Sequence, residues 1–350
     1  MDSSKTVVTK ETKNKIHVDY QGKLTFKERL VKKMQSSHTW IKGVVNVLKF
    51  ILMLGVSYVI LFPFFSKVAG SFMSKYDIVD PTVSLIPKNF TFDIYKYIIV
   101  ENDYFKAFFN TLLLSLLCAL VQTFVACLVG YGIAKFKFKL NSVVMLAVVI
   151  TMLIPHNTLK FAMRHRFANF DFTIRAFGDN GIITWLFGDG FDFMNTFWPF
   201  VILSIGGLAF KNGLYIYMMR QFFKGVPDEL EESAYVDGSD TFRTFLQIIL
   251  PLSVPMMITI FLFSFSWQWT DQFYTTIFFP SGGVFKMWAM PDIISKVPIS
   301  LYDQSFVGMS LYTQVITNTA GIMIILPLVI MYLFCQKYLV QGIERSGLVG

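Results

Sequence analysis

Residues 227–255 read PDELEESAYVDGSDTFRTFLQIILPLSVP, a polar, acidic stretch between two apolar segments of membrane-crossing length. Pro227 suits the first turn of a helix, where its missing N–H would have gone unpaired in any case. Asp228, Glu229, Glu231 and Glu232 put negative charge at the positive N-terminal end of that helix. Asp237-Gly238 ends it, because glycine enters the left-handed conformation of a helix stop without steric cost. Ser239 or Asp240 can cap a second short helix over 241–250. Pro251 then marks the entry to the next apolar segment. The pattern predicts two short helices with an acidic exposed face, hung between two spans.

The composition fits that setting. The chain has 350 residues, of which 54% are hydrophobic and 15% charged, where a soluble domain carries about a quarter charged residues. Its apolar residues gather in runs long enough to cross a bilayer, about 20 residues each. We read an all-α polytopic membrane protein with six transmembrane helices, over 44–65, 107–134, 142–155, 197–222, 251–279 and 311–338. Lys211 and Asn212 interrupt the fourth. No cleavable signal peptide is evident, so the first span serves as the insertion signal. Cys118, Cys127 and Cys335 all lie in apolar segments and read as packing residues.

Orientation follows from Lys and Arg. With the N-terminus in the cytoplasm, the short turn Lys135–Lys139 and ten basic residues before position 44 lie inside. An even span count puts the C-terminus there too, along with the acidic loop 223–250. The net charge of +8 is then a matter of basic cytoplasmic segments, and no nucleic-acid partner is called for.

The N-terminal arm, 1–43, has two parts. Residues 1–22 are polar and without period, the pattern of disorder. Residues 25–36 fit an amphipathic helix on membrane lipid. Thr25 and Glu28 have capping-box spacing, Phe26, Leu30 and Met34 recur every four residues, and Lys27, Lys32 and Lys33 suit anionic headgroups. Outer loop 156–196 combines Lys160, Arg164, His165 and Arg166 with the turn residues Gly178, Asp179, Gly181, Gly188, Asp189 and Gly190. Their spacing matches no calcium loop and reads as turn chemistry.

No catalytic set is legible. The chain has no GxxxxGK[ST] phosphate loop, no GxSxG elbow and no HExxH helix. His17, His38, His156 and His165 are scattered, so no metal site is predicted. Such a chain reads as a conduit whose energy comes from another subunit.

Glu232-Ser233-Ala234, three residues, Gly238, nine residues, Ile248, one residue and Leu250-Pro251 resemble the EAA loop of binding-protein-dependent ABC importer permeases, with Ser233 for the first Ala as the one departure. The stretch 217–239 is similar to the approach to that loop in carbohydrate permeases of the maltose-transporter type. So is 110–138 to their second core span, and LVQGIERSGLVG at 339–350 to their tail. The resemblance implies the ABC importer permease fold in the bacterial cytoplasmic membrane. It implies a second permease subunit, two ATPase subunits that bind ATP and Mg, and an extracellular solute-binding protein. The chain itself needs no cofactor and is not an enzyme. The substrate would be a carbohydrate, in oligosaccharide form. Glu229, Glu232, Ser233, Ala234 and Asp237 would contact the ATPase, and Gly238 would set the bend.

SWQWTDQFY, 266–274, resembles the family's Trp-Asn-Asp/Glu-Phe stretch, with Thr270 in place of Asn. Trp269 could stack on a sugar ring, and Asp271 could accept its hydroxyls. Charge inside a span faces a cavity or an interface, so Lys211 and Asp271 are candidates for substrate contact or for an ion pair with each other. Lys211 with Lys160, Arg164 and Arg166 raises the option of an acidic sugar. Asn110, Gln122, Gln314 and Asn318 are candidates for interhelical hydrogen bonds. An ion-gradient-driven secondary transporter is the alternative class. It calls for internal repeats and broken helices, and no repeat is visible.

Overall fold

A computed structural model describes residues 9–11, 17–19, 37–171, 181–279 and 296–345. Residues 1–66 and 67–350 form two compact units. In the first, β1 (Thr9–Glu11) pairs antiparallel with β2 (His17–Asp19), so the stretch expected to lack structure holds a short ladder. The helix expected over 25–36 lies outside the described residues. Helix α1 runs Ser37–Gly70 and contains the first expected span.

The second unit continues with α2 (Lys75–Val79), α3 (Asp93–Glu101), α4 (Tyr104–Lys135) and α5 (Asn141–Leu153). A 3-10 turn, His156–Leu159, leads to α6 (Lys160–Ala168), α7 (Ile182–Phe187), α8 (Trp198–Ile205) and α9 (Asn212–Lys224). Next come α10 (Glu229–Val236), α11 (Thr241–Thr244), a π-helical turn Phe245–Ile249, and α12 (Leu250–Trp269). Helix α13 (Phe273–Phe278) and α14 (Met309–Arg345) complete the chain.

Among the described residues, four helical stretches are long and apolar enough to cross a membrane: Ile41–Gly70, Tyr104–Lys135, Thr241–Trp269 and Met309–Val340. The third expected span is one arm of a pair bent by 93°, Asn141–Leu153 and His156–Ala168. The fourth, read as one span over 197–222 interrupted at Lys211 and Asn212, is two helices that part there: α8 of 8 residues and α9 of 13. Gly206 and Gly207 end α8, with Gly207 at φ 70°. Among the described residues, four continuous spans and two broken segments stand where six uniform spans were expected.

Helix α4 is the axis of the unit. Its Ala126, Cys127 and Tyr131 pack with Met219 and Phe223 of α9 and Met256 and Ile260 of α12. Its Tyr104, Ala107 and Ala119 join Ile94 and Ile98 of α3, Trp269 of α12, and Tyr312 and Ile316 of α14. Its Leu114 and Cys118 meet Phe167 of α6, Phe200 and Leu203 of α8, and Phe278 of α13. Its remaining face, Phe109, Leu113, Leu120 and Phe124, is apolar but exposed, so the helix is apolar all round as a membrane span is. Gly130 sets the closest approach: a Cβ there would lie 2.6 Å from Met219 Cβ and 3.0 Å from the Arg220 amide. Gln122 ties three elements, donating to Ser204 Oγ (3.3 Å) and accepting from Ser264 Oγ (2.9 Å), as expected of an interhelical bonder.

The described parts of loop 156–196 fold onto α13. Phe167 meets Phe278 at 5.1 Å, and Asn195 N–H donates to Phe278 O at 2.8 Å. Asp171 accepts from the amides of Ile183 (2.8 Å) and Thr184 (3.1 Å), so it works as a helix-start acceptor. Gly178 and Asp179 lie outside the described residues.

Candidate functional site

Two places in the second unit carry groups that the fold does not need for packing. One is the protrusion between α9 and α12. Helix α10 begins after Pro227 and stops at Gly238, whose φ is 83°. The stop is hydrogen bonded as a left-handed cap: Gly238 N–H donates to Tyr235 O (3.0 Å) and Ser239 N–H to Ala234 O (2.9 Å). Asp240 caps the next turn through the Arg243 amide at 2.7 Å. The second short helix does not end near 250, however. From Thr241 the chain runs as one helical stretch to Trp269. The join is the π turn, where Leu250 N–H bonds Phe245 O, five residues back. Pro251 follows at once; it has no N–H, and its ring would collide with the carbonyl four residues earlier in a regular helix. The wider turn accommodates it.

Of the residues singled out here, Glu229, Glu232, Ser233, Asp237 and Gly238 are exposed and Ala234 is buried. Ser233, the one departure from the EAA pattern, turns its hydroxyl back to Leu230 O at 3.1 Å. The exposed face is less uniformly acidic than expected. Val236 is 88% exposed and Phe242 70%, and such apolar groups beside carboxylates suit a protein partner.

Glu231 points the other way. It is buried, accepts from Tyr131 Oη (2.9 Å) and lies 3.8 Å from Lys135 Nζ. Lys135, at the end of α4, also donates to Val226 O (2.7 Å) and to the Asp228 carboxylate. Its ammonium holds the Asp228 carboxyl below the usual value. The protrusion is thus anchored to the central helix by Tyr131 and Lys135. Sequence reading counted Glu231 with the other acids. Its signal was there: in a helix starting at 229, positions 231 and 234 share a face, and Ala234 is the one small apolar residue of the motif.

The second place is where three segments break together. Helix α5 stops before Pro155 and the chain turns at His156. The fourth segment breaks between Gly206 and Lys211. The fifth breaks after Trp269, where Asp271 accepts from the amides of Phe273, Tyr274 and Thr275 at 3.1–3.2 Å and so starts α13. Ring contacts join the breaks: His156 to Phe210 at 4.9 Å, Phe210 to Trp267 at 5.0 Å, and His156 to Tyr274 at 6.2 Å. Lys211 Nζ lies 5.1 Å from the Phe210 ring centre and 5.3 Å from that of Trp267, within cation–π range. A pocket of about 120 Å³ adjoins it, lined by Thr151, His156, Lys211, Asn212 and neighbours. Irregular backbone at membrane depth survives only where protein buries it or where it lines a wet cavity.

Two of the three substrate candidates are engaged within the fold. Trp269 is fully buried, its indole N–H donating to Ile324 O at 2.9 Å and its ring stacked on Phe265, so no face is free for a sugar. Asp271 is committed to three amides, and no ion pair joins it to Lys211. Trp267, 48% exposed, offers the free ring instead. Two helical positions apart are about 200° apart around the axis, so the buried series Leu262, Phe265, Trp269 already implied an outward Trp267. His156 was legible only as the residue after a proline.

Residues 122–345 match the family of binding-protein-dependent transport system inner membrane components. The chain belongs to this family. It is a permease subunit of an ABC importer, an inner-membrane transport component and not an enzyme. It is 26% identical over 307 residues to the arabinooligosaccharides transport system permease protein AraQ of Bacillus subtilis (strain 168), covering 86% of this chain and 94% of AraQ. It is 28% identical over 305 residues to the probable starch degradation products transport system permease protein AmyC of Thermoanaerobacterium thermosulfurigenes, covering 85% and 96%. A crystal structure of a bacterial ABC transporter involved in the import of the acidic polysaccharide alginate contains a chain of the same fold, with a TM-score of 0.65 at 19% identity, covering 87% and 98%. Family membership sets aside the ion-gradient-driven alternative, although the broken helices that class called for are present.

Proposed function

We propose that this permease carries a carbohydrate, in oligosaccharide form, through the break where His156, Phe210, Lys211 and Trp267 meet. The observation that carries the reading is the convergence of three interrupted segments on an aromatic and cationic cluster beside a pocket. Sugar rings present an apolar face to aromatic side chains and hydroxyls to polar ones, and this cluster supplies both. Of the named relatives, AraQ is a permease for arabinooligosaccharides and AmyC a probable one for starch degradation products. A second permease, two ATPase subunits holding ATP and Mg, and an extracellular binding protein complete the machine. The face formed by Glu229, Glu232, Ser233 and Asp237, with Ala234 packed beneath it and Gly238 at the bend, docks on an ATPase.

The test is uptake of labelled oligosaccharide by proteoliposomes holding the co-purified complex. Trp267→Ala should lower uptake by about tenfold or more, and Trp267→Phe should retain most of it. Normal uptake in Trp267→Ala would remove the site from the pathway.

Both termini lie in the cytoplasm in this proposal. With Cys335 replaced, Thr158→Cys should react with an impermeant maleimide in intact cells, and Val236→Cys only after permeabilisation. The opposite pattern would invert the topology.

A further inference from the structure

Lys211 is the part of the site that a neutral saccharide leaves without a purpose. Its backbone is left-handed, φ 65°, in a short irregular link where glycine would avoid the Cβ strain. Among the described residues no carboxylate lies within 4 Å of its ammonium. Asp271, the partner that sequence suggested, is used by α13. The rings of Phe210 and Trp267 compensate the charge in part. Charge at membrane depth is expensive and marks a pathway or a partner.

The surroundings of Lys211 favour an anion. The first turn of α9 lines the same pocket, adding the positive end of a 13-residue helix. His156 lines it too and supplies a ring nitrogen that can donate. Asn212 is fully buried, and its Oδ1, an acceptor without a hydrogen-bond partner, suits a hydroxyl of the sugar rather than the anion itself. Beyond His156, α6 exposes Lys160, Arg164 and Arg166, none with a carboxylate within ion-pair distance among the described residues. Positive charge therefore extends from the pocket along the next helix with no ion-pairing carboxylate among the described residues.

We propose that the cluster is a carboxylate subsite and that the permease carries an acidic saccharide. A uronate carboxylate pairs with Lys211, with the His156 ring N–H and the α9 amides beside it, while the sugar ring lies on Trp267. A fixed aspartate in place of the substrate would hold Lys211 permanently and close the subsite. The unpaired lysine is neutralised only while substrate is present. The proposal rests on the reading that this break lines the translocation path.

Equilibrium binding of labelled trigalacturonate and of its fully methyl-esterified form separates the two ideas, because esterification keeps the rings and removes the charge. The sample is the whole complex in nanodiscs of zwitterionic lipid, each variant compared at equal content of partner subunits. The wild type should prefer the acid by about tenfold or more. Lys211→Met should erase that preference while the ester binds as before, and Lys211→Arg should keep it. Equal binding of acid and ester by the wild type, or an equal loss of both in Lys211→Met, overturns the carboxylate subsite. Loss of both ligands in Trp267→Ala would leave the pathway standing in that event. Unchanged binding of both in Trp267→Ala would remove the pathway reading and the subsite with it.

Discussion

Gly238→Val is expected to lower binding-protein-stimulated ATP hydrolysis by tenfold or more while the subunits still assemble. Gly238 has φ 83°, a region that β-branched residues avoid at a cost of about 1–3 kcal/mol. No atom lies within 4 Å of where its Cβ would sit, so the substitution strains the backbone and crowds nothing. The strain is relieved by rotating the pivot between α10 and α11. That breaks the Gly238 and Ser239 cap bonds to Tyr235 O and Ala234 O and re-aims Glu229, Glu232 and Val236. Asn tolerates the left-handed region, so Gly238→Asn should retain stimulation within about twofold. Glu232→Lys reverses an exposed charge on the same face and should uncouple without affecting assembly. Reconstituted complex, assayed with and without binding protein, reads all three. Full stimulation in Gly238→Val would mean the pivot does not transmit.

How much of this was written in the sequence differs from element to element. Continuous spans were legible because apolar length is nearly the whole signal: 44–65, 107–134 and 311–338 all fall inside single helices. The fourth was legible as interrupted at Lys211 and Asn212, but its full break was not, because composition ignores backbone punctuation. Gly206-Gly207 and Lys211-Asn212 sit in a window that is apolar on average, yet each pair licenses a turn. The same blindness hid the end of α12, where a single aspartate after Trp269 restarts a helix at an angle.

The protrusion was legible because capping chemistry is local. Gly238 and Asp240 each act within four residues and do in the structure what their type predicts, while Pro227 stands one residue before the cap Asp228 rather than in the first turn. Its attachment was not legible, since Lys135 and Glu231 are nearly a hundred positions apart and only tertiary packing joins them. The surroundings of the substrate candidates were not legible for the same reason. Trp269 and Asp271 lie in a stretch that resembles the family's pattern, but side-chain direction decides which groups are free. Helical phase turns Trp269 into the core and Trp267 out of it.

The anchor of the protrusion makes the sharpest energetic prediction. Lys135 and Glu231 are 8% and 10% exposed, so their charges are largely out of water. Removing one member of a buried pair costs about 3–5 kcal/mol, mostly from the charge left behind. Lys135→Met also strips the donor from Val226 O and the counter-charge from Asp228. It should therefore lower the thermal unfolding midpoint of the complex and weaken stimulated ATP hydrolysis together. Lys135→Met with Glu231→Leu removes the stranded charge, and replacing both members of a buried pair by apolar groups is often close to neutral. Residues in one hydrogen-bonded network couple by about 0.5–3 kcal/mol, so the double variant should recover much of the lost midpoint. If the anchor also transmits motion from α4 to α10, stability and stimulation will part company in that variant: the midpoint returns and the stimulation does not. Strict additivity of the two single changes would mean that Lys135 and Glu231 act separately, and the anchor would reduce to the Tyr131–Glu231 hydrogen bond alone.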